Sequence, residues 1–139
     1  MPRVHEAHTA LARRKALAAI AAVWLGLLAP GIACAEQRFP DVLSVKVRPA
    51  SNGTFDFDVT VSSPYDTPSR YADGFRVTTK AGEILGERKL WHDHQDEQPF
   101  TRDLYSVRIP SNVNAVLVQA RDQKYGYGGK VVEVGLPGR

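Results

Sequence analysis

From residue 36 onward the chain shows no ten-residue stretch of helical periodicity, but several short runs alternate apolar and polar side chains with a period of two. Leu43, Val45 and Val47 alternate with Ser44, Lys46 and Arg48, and Phe55, Phe57, Val59 and Val61 alternate with Asp56, Asp58 and Thr60. Both runs predict half-buried strands, because successive side chains of a strand point to opposite faces. Ser51-Asn52-Gly53 lies between them, and an Asn-Gly pair tolerates the positive φ of a tight hairpin turn. Asn52-Gly53-Thr54 also spells a glycosylation sequon, but the turn accounts for it. Residues 75–80 and 84–90 flank Ala81-Gly82, a second hairpin signal, and residues 104–109, 115–120 and 130–136 add three more strand-like runs.

That makes seven strands in about 100 residues, the spacing of a sandwich of two sheets. The prolines after residue 36, at 40, 49, 64, 68, 99, 110 and 137, fall between runs or at their ends, where none deletes a central ladder hydrogen bond. The expected fold is all-β: a seven-stranded immunoglobulin/fibronectin-III-like antiparallel β-sandwich, one domain over residues 36–139. So small a domain buries about 60–70% of its unfolded surface, which makes Phe55, Phe57, Phe75 and the valines the candidate core.

The start of the chain has a different pattern. Arg13-Arg14-Lys15 precedes the uncharged, almost wholly apolar run 16–28, followed by Pro30, Gly31 and Ala33-Cys34-Ala35. This predicts a secretory signal peptide over residues 1–35. The run has 13 residues and a membrane span needs about 20, so no retained transmembrane anchor is expected. Cys34 is the candidate for an alternative, lipoprotein processing with a lipid anchor, although Gly31 stands where a large aliphatic is normal. Arg13-Arg14 reads as a charged n-region, since the residues after it match a twin-arginine signal poorly. The expected location is periplasmic or secreted.

Charge and sulfur narrow the function classes. Of the 18 basic and 15 acidic residues, Arg3, Arg13, Arg14, Lys15 and the single acid Glu6 precede residue 36, so the remainder carries 14 of each sign. A neutral domain gives no overall electrostatic ground for nucleic-acid or anionic-lipid binding, which depend on neutralising phosphates. Cys34 and Met1 are the only sulfur-containing residues. A processed chain therefore has no disulfide, no thiol nucleophile and no soft ligand for Cu(I) or an iron–sulfur cluster.

Trp91-His92-Asp93-His94-Gln95-Asp96-Glu97-Gln98 is the densest polar cluster. Histidines at alternate positions put both imidazoles on one side of an extended backbone, where His92, His94, Asp96 and Glu97 are candidate ligands for Zn(II) or Cu(II). The competing reading is a solvated connection whose acids pair with Arg88, Lys89 or Arg102. As catalysts the same residues lack a nucleophile motif, a phosphate loop or a substrate signature beside them, so an enzyme is disfavoured. Tyr125-Gly126-Tyr127-Gly128-Gly129 is the second unusual stretch. There glycines present Tyr125 and Tyr127 on a loop as a binding surface of low entropy cost, or one tyrosine packs on the core edge. The pattern leaves open which end of the domain Tyr65, Tyr71 and Trp91 occupy.

Tyr71-Ala72-Asp73, Leu85-Gly86-Glu87-Arg88, His92-Asp93-His94, Glu97-Gln98-Pro99-Phe100-Thr101-Arg102 and Tyr125-Gly126-Tyr127-Gly128-Gly129, in this order, resemble a group of small exported bacterial proteins with an immunoglobulin/fibronectin-III-like sandwich pattern. The resemblance implies export and carries no activity with it. That group commonly has a proline between the two histidines, where Asp93 stands here. The functional expectation is an exported, non-enzymatic binding module. Its end loops 91–100 and 125–129, with Trp91, Tyr125 and Tyr127, recognise a protein or small ligand. The alternative is a periplasmic Zn(II)/Cu(II)-binding protein built on the His-Asp-His loop.

Overall fold

The Asn-Gly pair closes a hairpin. In the computed structural model, which describes residues 37–139, Asn52 (φ 57°) and Gly53 (φ 73°) both take the left-handed backbone. They join β1 (Asp41–Pro49) to β2 (Thr54–Ser62), with the Ala50 N–H bonded to the Thr54 carbonyl at 2.9 Å. Gly82, at φ 93°, turns the second hairpin, between β3 (Ala72–Thr78) and β4 (Ile84–Lys89). β5 (Phe100–Arg108), β6 (Ala115–Asp122), β7 (Gly126–Tyr127) and β8 (Val132–Gly135) follow. The leader and lipid-site readings of residues 1–35, Cys34 included, fall outside the described residues.

The strands form two antiparallel sheets. One is three-stranded, in the order β1-β2-β5, and the other five-stranded, in the order β4-β3-β6-β7 with β8 also paired to β6. Among the described residues there is no helix, and hence none long and apolar enough to cross a membrane. Phe57, Val59 and Val61 from one sheet meet Phe75, Val77, Val116 and Val118 from the other in a single buried cluster, a sandwich-like core. That cluster runs from Val42 to Leu136, so the unit Ala35–Arg139 contains its whole core. Gly86 marks how closely β4 approaches β5: a Cβ there would stand 3.2–3.3 Å from Val107 and Leu104 side-chain atoms.

Two expectations need correction. The described residues hold eight strands rather than seven, because Gly126–Tyr127 forms a short strand of its own against Arg121 and Asp122. β5 also begins at Phe100, four residues before the expected run. The apolar alternation there is broken twice. Arg102 occupies a core-facing register opposite Val59, and Ser106, at φ 56°, makes a bulge between the Leu104 and Val107 pairings.

Candidate functional site at one end of the sheets

Four segments meet at one end of the domain: residues 37–40 before β1, residues 63–71 between β2 and β3, residues 90–99 between β4 and β5, and the turn after β6. Loops of this kind leave many polar backbone groups to satisfy, and two buried aspartates satisfy them here.

Asp122, the last residue of β6, is fully buried. Its Oδ1 accepts the Tyr65 hydroxyl at 2.6 Å, and its Oδ2 accepts the N–H groups of Lys124 (2.9 Å) and Tyr125 (2.8 Å). The Arg70 guanidinium lies 3.3 Å away. Burial alone would push the Asp122 carboxyl up. The hydrogen bonds from Tyr65, Tyr125, Lys124 and Arg70 outweigh it and hold the group below the ordinary carboxylate value. Burial, followed by the bond to Asp122, drives the Tyr65 phenol well above its usual value. Arg70 extends the network by donating to the Arg38 carbonyl at 2.7 Å while its guanidinium covers the rings of Tyr65 (4.2 Å) and Tyr125 (4.9 Å).

Asp66 is the second hub, 1% exposed. Its Oδ1 accepts the Ala72 N–H at 2.9 Å, and its Oδ2 accepts the His94 N–H at 3.0 Å, which ties the 63–71 connection to the 90–99 connection. Gln98 fastens the same two segments. Its side chain accepts the Ser63 N–H at 2.7 Å and donates to the Ser63 hydroxyl and the His94 carbonyl.

This framework places the predicted residues. His94 is 5% exposed and lies flat on Phe100, ring centroids 4.0 Å apart and planes 12° apart. Both of its ring nitrogens are buried with no hydrogen-bond partner. Burial, with smaller contributions from the charges of Arg102 and His92, lowers its pKa below the ordinary imidazole value. His92 is exposed, its ring 4.9 Å from that of His94 and tilted by 37°, with Nδ1 against the Asp93 carbonyl. The two imidazole rings therefore stand side by side. The carboxylates do not join them in a ligand set: Glu97 forms a two-pronged pair with Arg102 (3.0 and 3.3 Å), which lowers its pKa. Asp96 is exposed, and among the described residues no group of three or more His, Cys, Asp or Glu side chains is arranged to hold a metal ion.

Trp91 is 76% exposed, with the Lys89 ammonium 4.8 Å from its ring. The Tyr71 hydroxyl bonds the Trp91 carbonyl and the Tyr71 carbonyl accepts the Gln123 N–H, so Tyr65, Tyr71, Trp91 and Tyr125 share one end. Tyr125 and Tyr127 part company. Tyr125 stays exposed near Arg38, Arg70 and Lys124. Tyr127 lies half-buried 3.7 Å from the Arg76 guanidinium and bonds Glu87, lining a shallow cleft with Asp73, Lys89 and Arg121. Asp66, Arg70 and Asp122 are the residues that sequence reasoning missed.

An unpartnered buried imidazole is a cost to folding unless something uses it. With nothing bound, His94→Phe is therefore expected to stabilise the domain by about 1 kcal/mol, read by urea unfolding at pH 7. The wild-type His94 favours the neutral form, so its cost is smallest above the ordinary histidine pKa of about 6.5 and grows as the pH falls through its lowered folded value. The variant loses that slope.

The chain is similar to a protein of Halomicrobium mukohataei named "Putative lipoprotein", with 36% identity over 99 residues, 71% of this chain and 48% of that one. It thus spans about half the length of the curated relative it matches. No family model matches. No solved structure matches.

Proposed function

We propose that the protein is an exported, periplasmic or secreted, non-enzymatic binding module of fibronectin-III-like type. Its end loops 91–100 and 125–129 recognise a protein or small ligand. One observation carries this reading: Asp66 and Asp122 fix three connections and the entering segment 37–40 into one rigid end that leaves Trp91, His92 and Tyr125 exposed. Loops held on a rigid scaffold lose little entropy when they bind. The sheet orders β1-β2-β5 and β4-β3-β6-β8 agree with the fibronectin-III arrangement, which brings alternate connections to one end. The name of the relative from Halomicrobium mukohataei agrees with export, and with Cys34 as a lipid-bearing residue.

A photo-crosslinking residue placed at position 91 or 125, in cells that export the protein, is expected to give discrete adducts that the same residue at 46, on exposed β1, does not. Equal yields at all three positions would overturn the reading.

The orphaned nitrogens of His94 beside His92 support a second reading, a Zn(II) or Cu(II) site completed by water or by a ligand from outside the chain. Titration of residues 36–139 with each metal tests it. The site predicts saturable binding that disappears in His92→Ala/His94→Ala, whereas binding unchanged in that variant, or absent from the wild type, excludes it.

A further inference from the structure

The exposed aromatic groups at the loop end stand beside cations. Trp91 has Lys89 at 4.8 Å, and Tyr125 has Arg70 at 4.9 Å, Lys124 at 5.2 Å and Arg38 at 5.8 Å. Phe39 meets Tyr125 edge-on, with ring centroids 6.1 Å apart. An indole and a phenol with an apolar body and a polar tip, flanked by basic side chains, have the chemistry of the interface between lipid headgroups and acyl chains.

The chain enters the domain at this same end. The Arg38 carbonyl is held by Arg70, and the Gln37 side chain donates to the Ser62 carbonyl at 3.0 Å. Cys34 lies four residues before Arg38, so a lipid on that cysteine would sit at most about 14 Å along the backbone from a residue fixed to the loop end. So short a tether would keep this end close to the bilayer.

We infer that this end docks on a phospholipid surface, with Trp91 and Tyr125 at the headgroup level and Arg38, Lys89 and Lys124 against headgroup phosphates. The inference rests on the binding-module reading and names its ligand. Asp93 and Asp96 lie on the same end, and they suit a headgroup that carries an ammonium beside its phosphate, as phosphatidylethanolamine does.

Residues 36–139 contain the buried core cluster of the described residues and serve for the test, with Trp91 as their single tryptophan. Vesicles of mixed phosphatidylethanolamine and phosphatidylglycerol are expected to cosediment the domain and to shift Trp91 emission to the blue. Arg38→Glu/Lys124→Glu alters two exposed side chains and is expected to weaken binding by about tenfold or more. Trp91→Ala should weaken it as well, and Lys46→Ala, on exposed β1, should not. No binding to these vesicles, or binding unchanged in the charge-reversed variant, overturns the inference. A position-91 or position-125 crosslink to a protein in the absence of vesicle binding would overturn the lipid alone and leave the binding module standing.

Discussion

Asp122→Ala is expected to destabilise the domain by about 3–5 kcal/mol at pH 7, the cost of breaking a buried ion pair from one side. The carboxylate satisfies the Tyr65 hydroxyl, two backbone N–H groups and the Arg70 guanidinium from a fully buried position. Truncation leaves those donors facing an apolar methyl, and Arg70, whose side chain is only 18% exposed, loses the carboxylate beside it. For a domain of this size the loss corresponds to a fall in melting temperature of about 15 °C or more, read by thermal circular dichroism. The pH profile gives a second measurement. Because the folded state holds the Asp122 carboxyl below its ordinary value, its contribution is full above about pH 4 and is lost as the pH falls through the lowered folded value. The alanine variant should therefore show a shallower acid limb than the wild type. Tyr65 acts in the opposite direction: its raised phenol contributes fully below about pH 10 and loses that contribution in stronger base. A variant as stable as wild type at pH 7 would mean that Asp122 does not organise this end.

The same residue shows where sequence reasoning reached its limit. The strands were legible wherever one face meets the core, as in Phe55–Phe57–Val59–Val61, because burial imposes a period of two. The hairpins were legible because Asn52-Gly53 and Gly82 adopt backbone angles that few residues tolerate. β5 was half hidden, since Arg102 faces inward at the sheet edge and the Ser106 bulge resets the register. Asp66 and Asp122 gave no signal at all. A lone aspartate between strands looks like a turn residue, and these two find partners as far as 57 residues away in sequence, most of them backbone N–H groups that carry no side-chain signature. Tyr125 and Tyr127 would share a face of a regular strand. Gly126, at φ 82°, turns the chain between them, so one faces solvent at the tip and the other packs beside Arg76.

The loop that carries both histidines depends on a residue in another connection, and Asp66→Ala isolates that dependence. Removal of the carboxylate strands the Ala72 and His94 N–H groups in a buried site, at about 1–3 kcal/mol each, so a destabilisation of about 2–6 kcal/mol is expected. Loss of stability alone would not distinguish Asp66 from any other core residue. His94 supplies the distinction. Its pKa is lowered because the 90–99 connection buries it against Phe100, and Asp66 holds the His94 N–H from the other connection. In Asp66→Ala the ring should swing into water and titrate near the ordinary histidine value of about 6.5, while in the wild type it titrates below that. Proton NMR of the His94 ring Cε1–H follows both. Phe57→Leu, a core change remote from the loop network, should reduce stability without moving the His94 titration. If the two variants shift His94 alike, its burial follows global stability, and the tie between the 63–71 and 90–99 connections is not what sets it.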